Sequence, residues 1–288
     1  MTQFSHSRLS TFENCPLQYR FRYIDKVQTE VEGVEAFVGK RVHEVLERLY
    51  HHVRRHAQPP TLAQVQSRFR RDFADQWHEH VRIVRTENDQ AFYLEHGERC
   101  LRNYYRTYYP FNQEETVAVE LPVSLVLDDG GRYKMRGILD RLVRVSPGQY
   151  EVHDYKTGAY VPSRAQLERD RQLPLYQIAV EQRYEDASSV DLVWHYLSVN
   201  RTVRLRRSEE QLTKLRHDTI ARIDEVTAAT EFPARPGPLC RWCEYADRCP
   251  AAGQATASGE PGEPSPAESA PGEAAAPPSP GRGQLSLF

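Results

Sequence analysis

Four cysteines stand at the two ends of the part of this chain that can fold. Cys15 is alone in Asn14-Cys15-Pro16, and Cys240, Cys243 and Cys249 follow some two hundred residues later as Cys-x-x-Cys, five residues and a third Cys. Thiolates at this spacing can close a four-sulfur metal site, which obliges the beginning of the domain to meet its end. A Cys₄ set serves zinc and iron–sulfur clusters alike, so the spacing leaves the metal open. Cys100 falls midway along a predicted helix and reads as an ordinary buried residue.

Composition sets the size of that domain. Residues 251–283 are dominated by Ala, Pro, Gly, Ser and Glu, with no aromatic or large aliphatic side chain, the composition of a disordered linker. Residues 1–250 remain, enough for one generous core. The net charge of −2 conceals an acidic linker with four Glu and one Arg, so the folded part is close to neutral. Bulk charge therefore excludes a polybasic nucleic-acid binder, and a nucleic acid would have to be held in a local groove. Met1-Thr2-Gln3 runs directly into polar, helix-starting sequence, with no signal peptide expected. No apolar run approaches the roughly 20 residues of a membrane span. We expect a cytoplasmic protein without a membrane partner, a setting in which clustered cysteines more often bind metal than pair as disulfides.

Hydrophobic periodicity changes along the chain. Residues 5–23 read as a helix followed by a second short one, with Ser5 or Ser7 as the cap. Residues 39–55 carry Val42, Val45, Leu46, Leu49 and Val53 at helical spacing, and Pro59-Pro60 ends that helix. Two or three more helices follow over 61–109, which places a helical insertion at about 56–112. Segments 117–127, 133–145 and 150–156 then alternate and are β-branched, separated by Asp128-Asp129-Gly130-Gly131 and Ser146-Pro147-Gly148 turns. A helix over 164–184, strands over 190–199 and 202–206 and a last amphipathic helix over 208–230 complete a mixed α/β domain.

The second and third strands carry the chemistry. Alternation predicts Ile138, Asp140 and Leu142 on one face, and Tyr150, Val152, Asp154 and Lys156 on one face of the next strand, with Glu151, His153 and Tyr155 opposite. Asp140 and Asp154 then interrupt apolar faces on neighbouring strands. Two carboxylates in low dielectric repel unless a cation joins them, and oxygen donors with open water positions suit Mg²⁺ or Mn²⁺. Lys156 would point into the same space, where an ammonium can orient an attacking water or stabilise phosphate charge. Asp-x-Lys alone is equally a solvated ion pair at a strand end; its place after a Gly-Ile-Leu-Asp strand shifts the balance.

Gly137-Ile138-Leu139-Asp140-Arg141 followed by Asp154-Tyr155-Lys156-Thr157-Gly158 resembles the core of the PD-(D/E)XK nucleases, in the RecB-like exonuclease branch. Gly39-Lys40-Arg41-Val42-His43 is similar to that branch's helix with a metal-binding His, and Gln172-Leu173-Pro174-Leu175-Tyr176 to its Gln-x-x-x-Tyr helix. The split cysteine set resembles the iron–sulfur subgroup, which includes AddB-type subunits and CRISPR-associated nucleases. The resemblance implies a restriction-endonuclease-like mixed central sheet flanked by helices, with a helical N-terminal part. It implies that His43, Asp140, Asp154 and the Tyr155 carbonyl bind Mg²⁺ or Mn²⁺, with Asp140, Asp154 and Lys156 catalytic and Glu120 a weaker ligand. Gln172 and Tyr176 would contact substrate or the carboxylates, and a 4Fe–4S cluster would sit on Cys15, Cys240, Cys243 and Cys249, with structural zinc as the alternative. Without that resemblance, His43 among Val42, Val45 and Leu46 would read as a core histidine, Gln172 and Tyr176 as interfacial packing, and Glu120 as an exposed strand carboxylate. The Tyr104, Tyr105, Tyr108 and Tyr109 stretch suits helix packing better than base stacking.

The chain ends in Gln284-Leu285-Ser286-Leu287-Phe288, an apolar peptide after the long polar linker. Exposed Leu-x-Leu-Phe is costly unless something binds it. The peptide resembles the bacterial sliding-clamp-binding pentapeptide, with Gln284, Leu285, Leu287 and Phe288 as contacts. The combined expectation is a metal-dependent DNA exonuclease acting at single-stranded ends in repair or recombination, associated with the nucleoid and tethered to the clamp. A helicase is a further expected partner. The competing expectation is a non-catalytic or partner-dependent DNA-binding subunit of a helicase–nuclease complex.

Overall fold

The computed structural model of the chain describes residues 3–251. The remainder of the expected linker and the peptide at 284–288 lie outside the described residues. The elements are β1 (Phe4–Ser5), α1 (His6–Asn14), α2 (Pro16–Tyr19), β2 (Glu32–Gly33), α3 (Val34–Val53), α4 (Leu62–Gln76), β3 (Val81–Arg82) and α5 (Gln90–Tyr108). They continue as β4 (Glu115–Val126), β5 (Lys134–Ser146), β6 (Gln149–Lys156), α6 (Arg164–Leu167), α7 (Gln172–Arg183), β7 (Ser189–Tyr196), β8 (Arg201–Leu205) and α8 (Glu209–Ala228).

The expected mixed central sheet forms in the order β1-β5-β6-β7-β8, with β4 also on β5. Antiparallel β4, β5 and β6 make the meander, and Gly148, at φ 75°, closes the β5–β6 turn in the left-handed region that glycine enters without penalty. β6 and β7 are parallel, joined through α6 and α7, and β8 returns antiparallel after Asn200 at φ 51°. One edge of β5 belongs to β4. The other is shared: β6 pairs with Arg141 to Ser146, and β1 with Met135 and Arg136.

Apolar side chains leave both faces of the sheet, so helices cover both. One core joins Leu9, Phe12, Leu142, Val152, Ile178 and Leu192 on the α1, α7 and α8 side. The other joins Phe37, Val42, Leu46, Phe69, Leu101 and Tyr155 on the α3, α4 and α5 side. As the alternation predicts, β6 sends Tyr150 and Val152 into the first core and Tyr155 into the second. Tyr104 is buried with its hydroxyl 2.6 Å from that of Tyr50, which accounts for it as packing.

Three expectations need correction. The helix predicted from residue 39 begins five residues earlier, because Val34, Phe37 and Val38 extend the apolar face through Gly39. The helix predicted over 164–184 is two. Pro174 has no N–H and its ring would clash with the carbonyl four residues back, so α7 restarts to place it in the first turn, where no intrahelical donor is needed. Lastly, Ile138, Asp140 and Leu142 do not share a face: Ile138 is 52 % exposed, while Leu139 and Leu142 are buried in the same core. Alternation fails because Glu120 and Asp140 drop out of the β4–β5 ladder, with Glu120 at φ 44°. A left-handed non-glycine residue costs on the order of 1–3 kcal/mol, held here by the pairing on either side.

The two ends of the domain meet. Short 3₁₀ turns at Pro238–Trp242 and Ala246–Arg248 carry the last cysteines. Between them Glu244 pairs with Arg22 and accepts from Gln18 at 2.9 Å, and the Tyr245 hydroxyl donates to the Val27 carbonyl. Among the described residues no helix is long and apolar enough to cross a membrane.

Candidate active site

The last β5–β6 pair is Arg141 with His153, and beyond it the strands part. Tyr155 N–H donates to Asp140 Oδ2 at 2.8 Å instead of to a β5 carbonyl. Into this fork α3 brings His43 and α7 brings Gln172 and Tyr176. His43 donates Nε2–H to the Tyr155 carbonyl at 2.8 Å and turns Nδ1 toward Asp140 at 3.5 Å and Glu120 at 3.9 Å. On the other strand, Lys156 Nζ lies 3.1 and 2.9 Å from the two Asp154 oxygens and donates to Gln172 Oε1 at 3.2 Å. Tyr176 packs so closely against Gly137 that any Cβ there would sit 2.3 Å from its ring.

The fork thus collects His43, Glu120, Asp140, Asp154, the Tyr155 carbonyl and Lys156. His43, Glu120 and Asp140 hold their ligand atoms within 4.8 Å of one another, so Glu120, the weakest candidate from sequence, stands as close as the others. The Asp154 carboxylate is turned to Lys156. Gln172 reaches the lysine, and Tyr176 lies over the Gly137 backbone.

Charge is balanced here only by protons that His43 and Glu120 retain. Burial pushes Glu120 up to about 8, with Asp140 adding to the effect against His43. Burial raises Asp154 to about 6 against the pull of Lys156, and Asp140 adds to the rise. Burial also opposes ionisation of Asp140, but His43 above all, then Tyr155 N–H and Lys156, hold it below the ordinary carboxylate range. His43 would be lowered by burial, yet Asp140, Glu120 and Asp154 raise it to about 9. The ammonium of Lys156 is likewise penalised by burial and more than restored by Asp154. Three carboxylates press on one another with a single permanent cation, and buried Asp154 Oδ2 lacks a hydrogen bond of good geometry even beside Lys156. A hard divalent cation fits this donor set: it takes carboxylate and carbonyl oxygens and removes the repulsion.

A buried polar network outside the motifs holds the fork from within. Tyr155 packs at a 36° tilt against His195 and meets Tyr104 through their hydroxyls at 3.2 Å. His153 accepts at Nδ1 from Arg141 at 2.9 Å and donates Nε2–H to Glu151 at 2.8 Å, and His195 Nε2 lies 2.8 Å from the same Nδ1. At the strand end the Thr157 carbonyl accepts from His96 Nε2 at 2.8 Å. The available signal was an alternation of polar residues on a face that should be apolar, Glu151 and His153 before Tyr155.

Cys15, Cys240, Cys243 and Cys249 are unpaired and partly exposed, and Cys100 is unpaired and buried. Burial raises the Cys243 thiol to about 12, and Cys15 and Cys240 lie close enough to press on it. Cys240 Sγ accepts from Gly237 N–H at 3.3 Å, and the Cys243 carbonyl from Arg82 at 2.7 Å. Thiolates at such a place would need a cation, but among the described residues no three of these sulfurs lie within 4.8 Å of one another.

Residues 3–250 match the family model of the PD-(D/E)XK nuclease superfamily. The chain belongs to this superfamily, and it is a nuclease of restriction-endonuclease-like fold. Among solved structures it is similar to a candidate exonuclease from Eubacterium rectale, at 13 % identity and TM-score 0.47 over 91 % of each chain. It is also similar to the protein SSO0001, at 19 % identity and TM-score 0.32 over 85 % of this chain and 95 % of that one. No curated protein is matched.

Proposed function

We propose that the chain is a metal-dependent DNA exonuclease acting at single-stranded ends in repair or recombination. The observation that carries the reading is the crowding of carboxylates at the fork: buried Asp154 and partly buried Glu120 and Asp140 beside one lysine held by Asp154 and Gln172, with only protons to make up the balance. In this reading His43, Asp140, Asp154, Glu120 and the Tyr155 carbonyl hold Mg²⁺ or Mn²⁺. When bound, the ion polarises the scissile phosphate, lowers the pKa of its water and neutralises developing charge. Lys156 is then the group that orients the water and carries positive charge to the phosphate. Gln172 fixes the ammonium by accepting one of its three protons, which leaves the others for Asp154 and substrate. His43 contributes a ring anchored on the carbonyl it would share with the ion.

Digestion of end-labelled single- and double-stranded DNA with Mg²⁺, Mn²⁺ or EDTA tests the reading. We expect metal-dependent loss of label from single strands, abolished by Asp154→Ala or Lys156→Ala; cleavage that survives both substitutions overturns it.

Two further parts belong to the proposal. Cys15, Cys240, Cys243 and Cys249 hold a 4Fe–4S cluster that braces the chain ends, supported by the docking of the last cysteine turns on the N-terminal helices. The choice of iron–sulfur over zinc follows the family resemblance, and visible absorption with metal analysis of anaerobically purified protein decides it. The peptide at 284–288 tethers the nuclease to the sliding clamp, raising its effective concentration on DNA that carries a clamp. Deleting those five residues should remove clamp binding and spare activity on free oligonucleotides.

A further inference from the structure

The ladder between β4 and β5 sorts the side chains of this ribbon into two faces. Leu121 with Leu139, Val123 with Gly137 and Leu125 with Met135 face the core that α1, α7 and α8 cover. Pro122 with Ile138, Ser124 with Arg136 and Val126 with Lys134 face the other way. Of these six, Val126 is half-buried and the rest are exposed to solvent.

The outward face is cationic and leads into the fork. Its six residues include Lys134 and Arg136 and no carboxylate. The ribbon runs from the Val126–Lys134 pair to Glu120 and Asp140, where the ladder opens. Alternate residues of a strand recur at roughly 7 Å on one face, so Lys134, Arg136 and Ile138 form a row that ends two residues from Asp140. β1 pairs with β5 at Met135 and Arg136, so the row stands on a floor of three strands and not on a loop. The turn beyond carries Asp128, Asp129 and Arg132, which keeps the cationic stretch short. Where α3 meets Glu120 the sign is opposite: Glu44 and Glu47 crowd that carboxylate and add to its rise. A polyanion is repelled there and attracted along β5.

We propose that this face is the track on which a single DNA strand reaches the fork: Arg136 and Lys134 hold successive phosphates, and Ile138, with Pro122 beside it, packs against the sugar or base next to the cut. The track rests on the nuclease reading and adds to it the path of the strand. An electropositive surface that follows the backbone holds a single strand, and its phosphate contacts fix register without reading bases. The two cation contacts release counterions and so depend on salt, whereas the Ile138 contact does not. An isolated exposed isoleucine would call for no explanation; its place between the cations and the carboxylates gives it one.

The test uses full-length protein and single-stranded oligonucleotides in EDTA, where binding is read without metal-dependent cleavage. Lys134→Gln and Arg136→Gln should each weaken binding about fivefold and lower the slope of log affinity against log salt by about 0.7. Ile138→Ser should weaken it about threefold with the slope unchanged. Lys214→Gln is the control, since α8 covers the opposite face of the sheet, and it should change neither quantity. A neutral methylphosphonate walked along the oligonucleotide should erase the effect of Arg136→Gln at one linkage and that of Lys134→Gln at the next, farther from the bound end. Thermal melting of the variants separates binding from folding. Wild-type affinity and slope in either cation variant overturns the track, as does an equal loss in Lys214→Gln. Failure of the nuclease reading is a different result: DNA binding that depends on the track, with no cleavage when Mg²⁺ or Mn²⁺ is restored. Wild-type protein that neither binds nor cuts single strands overturns both.

Discussion

Two clusters in this molecule contain the same residue types, a histidine among carboxylates, and they end differently. At the fork, His43, Glu120 and Asp140 gather within 4.8 Å; behind it, Glu114, Glu151 and His153 do the same. The inner cluster is closed. Arg141 donates to Glu114 and to His153, Arg204 pairs with Glu151, and Arg141 lies 4.3 Å above the Tyr50 ring. Burial, then Arg141 and Arg204, hold His153 neutral, so two guanidiniums meet two carboxylates and nothing is left for a cation. Among the described residues the fork has no arginine: Lys156 and a protonated His43 face its three carboxylates. Donor type and proximity therefore do not make a metal centre; donors whose charge is held by releasable protons, and not by guanidiniums, do.

The sharpest break between the clusters is activity. Lys156→Ala or Asp154→Ala should cost about 10³-fold or more in cleavage rate, whereas Glu151→Gln should cost less than about tenfold in protein that stays folded. Equal losses measured on the same oligonucleotide would erase the distinction. Stability should invert the order. Arg141→Met leaves partly buried Glu114 with only Arg204, 3.8 Å away, and buried His153 without its donor, and urea unfolding should show a loss of about 1–3 kcal/mol. Metal binding should discriminate next. Mg²⁺ or Mn²⁺ at a hundred times its dissociation constant should stabilise the protein by about 2.7 kcal/mol. Asp140→Asn should lose that gain and Glu151→Gln keep it, as read by melting temperature.

Gly137→Ala probes the fork from its floor. The new methyl would meet the Tyr176 ring at 2.3 Å, so we expect about 1–3 kcal/mol of destabilisation with weakened activity, and Tyr176→Leu in the same chain should relieve part of the strain. The smallest effect concerns pH. His43, raised to about 9, Glu120, raised to about 8, and Asp154, raised to about 6, must each release a proton before they ligate. Metal affinity should therefore rise with pH across 6 to 9, with proton release visible by calorimetry in buffers of different ionisation heat. A flat affinity over that range would place the metal elsewhere.

Much of the site could be read from the residues because short motifs on β5, β6, α3 and α7 carry it. Asp140, Asp154 and Lys156 lie on strands whose turn is written in Pro147-Gly148, so adjacency follows from local chemistry. The facing of Asp140 could not be read that way. Period-two alternation assumes an unbroken ladder, and Glu120 breaks it from a strand about 20 residues away.

By itself the sequence determined the mixed α/β class and the order of the elements, because periodicity and turn residues are local properties. Tertiary structure alone decided which histidine faces open charge and which is sealed by arginines. Arg141 pairs with Glu114 across 27 positions, and Arg204 with Glu151 across 53. Electrostatic balance is a sum over neighbours in space, and the chain writes only its neighbours in order.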